Sequence, residues 1–217
     1  MGFNFQGIVG PQNIPDGAVG NLSLRAARDG SIVALPTAQD YLARGKNLIA
    51  TSATGGIALI VAATTGGHPT LWNPQGSGVI AEFKKLSLTY ISGNNAPGGL
   101  YWHITTNTGA TAATAAPIAT FTQVAMVNAL AGASVSSSLR WSPTTNTFTA
   151  APTFYAPTGI SLFTGVAATA VAPFLLEALF QEGEMGVFAG NALSLCSQAA
   201  TTTALFNVGI HLVERTY

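Results

Sequence analysis

The sequence predicts an all-β fold, an antiparallel sandwich preceded by an extended N-terminal arm. Three observations carry that prediction. The 217 residues include only eight basic and eight acidic side chains, 7% of the chain, against about 25% in an ordinary globular domain. A helix-rich protein would need Glu, Lys and Arg on its outer faces, and this chain cannot supply them. Its 24 glycines and 11 prolines, with long runs of Thr, Ser and Ala, favour turns and extended segments. Short apolar runs alternate with turn clusters, as in sandwiches and barrels.

The charges divide the chain. Asp16, Arg25, Arg28, Asp29, Asp40, Arg44 and Lys46 lie in the first 47 residues, whereas Leu86 to Leu176 holds only Arg140. Residues 1–47 therefore read as an extended arm with short strands, Asp29-Gly30 marking a turn. Residues 48–217 read as the sandwich domain. Ile57 to Ala63 is a short apolar run closed by Thr64-Thr65-Gly66-Gly67, and Asn73 to Gly78 is a loop by composition.

From Val79 to Ile91 the alternation changes phase. Val79, Ala81 and Phe83 share one face, then Leu86, Leu88 and Tyr90 share the next. Side chains in a strand alternate with period two, so a slip at Lys84-Lys85 predicts a β-bulge or a crossing between sheets. Leu100, Trp102 and Ile104 point inward on the following strand, with His103 facing the other way. Phe206, Val208, Ile210 and Leu212 make the clearest half-buried strand, a closing strand tied into a sheet. Thr120 to Leu130 and Phe174 to Phe180 fit a helix as well as a strand. At this length a jelly roll accommodates the strand count.

Composition also bears on function. A zero net charge lacks the basic footprint of a nucleic-acid or anionic-membrane binder. The N-terminus has no signal-peptide pattern and no myristoylation pattern, so the sequon Asn21-Leu22-Ser23 carries little weight. Ile160 to Phe180 is long enough to cross a bilayer, but Thr164, Thr169, Pro173 and Glu177 interrupt it. No membrane span is expected.

The residues that could carry chemistry are few. His68, His103 and His211 have no metal-ligand spacing to each other or to Cys196 and read as surface or interface histidines, so no metal and no cofactor are expected. Cys196 reads as a small buried apolar residue. Ser77 lacks the flanking glycines of a nucleophile elbow, since Gln75 and Val79 occupy those places. Glu182 and Glu184 read, with Glu177, as a solvated acidic rim or a Ca²⁺ or Lys/Arg contact; a glycosidase pair is the enzymatic alternative. Trp102 reads as core.

Three segments resemble the jelly-roll decoration, or cement, proteins of tailed-bacteriophage heads. They are Leu24 to Val33 followed by Tyr41-Leu42-Ala43-Arg44-Gly45-Lys46; the loop Leu71 to Gly78, with Asn73-Pro74-Gln75-Gly76-Ser77-Gly78; and Gly183 to Leu195 with the terminal strand ending Val213-Glu214. Each is a turn-plus-strand pattern. Thr108 to Ala151 departs from the family pattern and is expected to be interface or exposed loop.

The resemblance implies a non-enzymatic virion protein on the capsid surface. Its partners would be the major capsid protein and further copies of itself, as a dimer or trimer. Phe3, Phe5, Ile8, Arg25, Arg28, Tyr41 and Arg44 are then the candidate contacts. Low charge fits that role, because the cores of protein interfaces are depleted in charge. The stretch Leu86 to Leu176 is accordingly expected between subunits. The alternative is a carbohydrate-binding module of a tail fibre or spike, with Trp72, Tyr101 and Trp141 as stacking groups.

Overall fold

In a computed structural model of the protein, residues 44–61, 64–94, 98–106, 118–162, 175–181, 184–199 and 203–216 are described. The expected arm, apart from its last residues, lies outside them. The described residues form strands and no helix. They run β1 (Asn47–Thr51), β2 (Thr70–Asn73), β3 (Val79–Ser92), β4 (Gly98–Thr106), β5 (Ile118–Phe121), β6 (Val127–Asn128) and β7 (Arg140–Ser142). Then come β8 (Asn146–Phe148), β9 (Thr153–Leu162), β10 (Leu175–Leu179), β11 (Gly186–Val187), β12 (Asn191–Ser197) and β13 (Leu205–Thr216).

Two antiparallel sheets share one apolar core. One has the order β10-β3-β13-β1-β6, with β11 also pairing β3; the other has the order β7-β2-β12-β4-β9. Phe83, Leu86, Leu88, Phe206, Val208, Ile210 and Leu212 enter the core from the first sheet, and Leu71, Leu100, Trp102, Trp141, Leu193 and Leu195 from the second. Phe83 meets Trp102 with ring centroids 5.1 Å apart. That contact lies where the two sheets face each other.

The phase slip in β3 is a bulge. His211 is opposite Lys85 and Leu212 is opposite Phe83, so Lys84 is the extra residue. Without it, every side chain on one half of β3 would point to the wrong face of the sheet. The terminal strand alternates as expected and lies between β3 and β1, its Phe206, Val208, Ile210 and Leu212 buried.

Glu214, near the end of β13, is buried, and its carboxylate accepts from Lys46, from the hydroxyl of Ser137 and from the amide of Ser138 at 3.1 Å. Residues before β1 and before β7 are thereby fastened to one strand. A buried carboxylate is tolerable only with such a set of donors.

Three segments depart in sequence from plain strand alternation. Ile57 to Val61 makes single bridges, Ile57 to Phe206 of the first sheet and Val61 to Ser197 of the second, because it crosses from one sheet to the other. Thr120 to Leu130 holds the end of β5 and all of β6, with irregular backbone between, and Leu175 to Leu179 is the strand β10. Pairing with neighbouring strands overrides a spacing that also fits a helix.

In the described part of the Thr/Ala-rich centre, β6 joins the first sheet and β7 the second, and the rest includes a covering layer. Strands β5 and β8 pair with each other, and their Ile118, Phe121 and Phe148 pack on Trp72 and Ala192 as a second core outside the second sheet. The weakly charged stretch also supplies much of the internal core, including Leu86, Leu88, Leu100, Leu139, Ile160 and Leu162. No helix among the described residues is long and apolar enough to cross a membrane.

Phe83→Ala is expected to destabilise the domain by about 3–5 kcal/mol, read as a lower urea midpoint with an unchanged slope. A loss below about 1 kcal/mol would mean that the two sheets do not meet at this residue.

Candidate functional site

Six of the seven candidate contact residues, Phe3, Phe5, Ile8, Arg25, Arg28 and Tyr41, lie outside the described residues; Arg44 is exposed just before β1. The proposed stacking groups are separated. Trp72 and Trp141 are wholly buried. Trp72 lies beneath the β5–β8 layer, edge to face with Phe121 at 5.4 Å, with the Arg140 guanidinium 5.6 Å from its ring centre. Trp141 points into the main core and donates from Nε1 to the carbonyl of Thr51 at 2.9 Å. Neither can stack on a sugar. Tyr101 alone is partly exposed, on the outer face of β4, edge to face with Phe154 at 5.7 Å.

The histidines also differ from the expectation of surface residues. His68 is wholly buried against Cys196, and His103 is buried beside Phe154. The His68 Nε2 lies 3.0 Å from the carbonyl oxygen of Thr64, which can only accept, so Nε2 carries the proton. Nδ1 is then the acceptor, and the Cys196 thiol donates to it at 3.3 Å. The His68 carbonyl accepts from Asn146 Nδ2 at 2.6 Å and from the Thr70 hydroxyl at 3.0 Å. Ser194 completes the network at 2.9 Å from Thr70.

This arrangement contains the two side chains of a thiol–imidazole dyad, held in the wrong protonation state for attack. Burial pushes the Cys196 thiol up to about 12 and pulls His68 below its ordinary value. A neutral thiol beside a neutral imidazole is a poor nucleophile. Sequence spacing could not place His68 next to Cys196, since 128 residues separate them.

The described carboxylates other than Glu214 each have a partner as well. Glu177 pairs with Lys85, Glu184 accepts the amide of Gln181 at 2.6 Å, and Glu82 pairs with Lys84 at 2.5 Å and with Arg215. Glu182 lies outside the described residues. No group of three or more His, Cys, Asp or Glu among the described residues could hold a metal.

The other unusual feature of the surface is apolar. Leu175 and Leu179, the latter 74% exposed, stand on β10 at one edge of the first sheet. Val127 on β6 and the nearby Leu130 stand at the opposite edge, and Phe154, Tyr155 and Phe188 are exposed elsewhere. Sequence alternation marks the burial of such runs but not which strands end a sheet. Compared with models of protein families, with curated proteins and with solved structures, the chain matches none of them.

Two measurements test the buried cluster. A thiol reagent should leave Cys196 unlabelled in the native protein and label one equivalent after unfolding; fast native labelling would contradict its burial. His68, His103 and His211 are all held below the ordinary value, chiefly by burial. The unfolded chain therefore takes up protons near pH 6.5 while the folded chain stays neutral, so stability falls with falling pH until the lowered folded values are reached. The melting temperature should drop from about pH 7.5 to about pH 5, with a shallower drop in His68→Gln. An equal slope in both proteins would remove His68 from the explanation.

Proposed function

We propose that the chain is a non-enzymatic structural protein of a bacteriophage virion, a decoration or cement protein that binds the outer surface of the head and associates with copies of itself. The observation that carries the reading is the apolar side chains standing exposed at both edges of the first sheet. A chain with so few charges has little to keep such edges from pairing with another chain.

The strand order supports it. Pairs nest one inside another: β1 with β13, β2 with β12, β3 with β10 and β4 with β9. We read this winding as a jelly roll, an architecture that capsid and lectin domains share. Fold alone does not select a function; the exposed edges favour assembly. The expected arm, residues 1–47, would add contact area on a neighbour.

Light scattering coupled to size exclusion should give a dimer or trimer at micromolar concentration, and Leu175→Lys with Leu179→Lys should shift it toward monomer. A wild-type monomer would count against the reading. Deleting residues 1–20 should weaken association with heads while leaving the melting temperature unchanged. Undiminished association would remove the arm from the interface.

A further inference from the structure

Away from the buried His68 cluster, the surface carries a cleft of about 430 Å³ whose lining includes Ile80, Glu82, Tyr155, Glu184, Phe188 and Arg215. Its size is within the range of small-molecule sites. Two β-bulges frame it. On β9, Ala156 is opposite Trp102 and Phe154 is opposite His103, so Tyr155 is an extra residue with no partner in the register. On β3 the extra residue is Lys84, whose ammonium reaches Glu82 in the cleft. A bulge re-aims a side chain, which is why bulges gather beside functional sites.

The polar groups of the cleft are held in place. Glu82 is 4% exposed, its two carboxylate oxygens taken by Lys84 and Arg215. Glu184 is fixed by the amide of Gln181. The lining carries Glu82, Glu184 and Arg215, and the Lys84 ammonium on Glu82, just outside the lining, brings the local charge to balance. Tyr155 and Phe188 line the same cleft, 47% and 58% exposed. Gly186 adds a stretch of lining with no side chain; a Cβ there would lie 3.2 Å from Ile80 Cγ2.

A charge-balanced site has no field to select an anion or a cation. With both Glu82 oxygens taken, the planar groups that can hydrogen-bond hydroxyls are the Glu184 carboxylate and the Arg215 guanidinium, and beside aromatic rings that cover apolar C–H faces they match a neutral sugar ring. We propose that this cleft binds a neutral hexose residue of a glycan. The proposal goes beyond the structural role: it gives a head-surface protein an adhesive site, and it places carbohydrate recognition at Tyr155 and Phe188, away from the buried tryptophans.

Saturation-transfer NMR on the full chain tests it, with the methyl glycosides of glucose, galactose, mannose and N-acetylglucosamine as probes. At least one should show transfer to its ring protons. Tyr155→Ala and Phe188→Ala should each weaken binding about tenfold or more, with unchanged melting temperatures because both side chains are exposed. Three results would overturn the proposal: no transfer with any glycoside, binding undiminished in both variants, or equal competition by sialic acid or glucosamine. Head association should survive both substitutions, so failure of the sugar site and failure of the structural reading are seen separately.

Discussion

The pairing of β3 with β13 is the constraint on which the rest of the structure depends. These are the two longest strands, 14 and 12 residues, and their register runs from Leu205 opposite Ser92 to Thr216 opposite Val79. It sets which side chains of the first sheet face the core. It also places Glu82 beside Arg215 and holds Glu214 where it can fasten the residues before β1 and β7. Because β13 is the last strand and lies between β3 and β1, the first sheet is complete only when the end of the chain returns to its middle. Such long-range pairing is slow to form. The bulge at Lys84 lets one strand keep its core face on both sides of an irregularity.

Much of this was legible in the residues. The alternation of Phe206, Val208, Ile210 and Leu212 named the closing strand, and the phase change after Phe83 located the bulge to within a residue. The burial of Trp72 was not legible, because it depends on a layer contributed by Ile118, Phe121 and Phe148, whose own strands give little period-two signal. His68 misled for a similar reason. A histidine before a proline in a Thr/Gly-rich turn reads as surface, yet Cys196 and Asn146 converge on it from distant parts of the chain and Thr64 reaches it from the same turn.

The scarcity of charge now has two sources. Between Leu86 and Leu176 many apolar residues are buried within the domain itself, in two cores rather than between subunits. Other apolar side chains are exposed, and those at the sheet edges, Leu175, Leu179, Val127 and Leu130, bear on the proposed assembly. Edge strands in proteins that stay single are usually blunted by Lys, Pro or short length; the two-residue β6 is blunted by length, the five-residue β10 less so. On β10 the only charge is Glu177, and Lys85 of β3 neutralises it.

In the proposed role the chain decorates the outer surface of a phage head. Immunogold labelling of intact particles with antibodies raised against the purified chain tests it most directly. Gold distributed over the head is the predicted result; label confined to the tail, or absent from particles altogether, would contradict it.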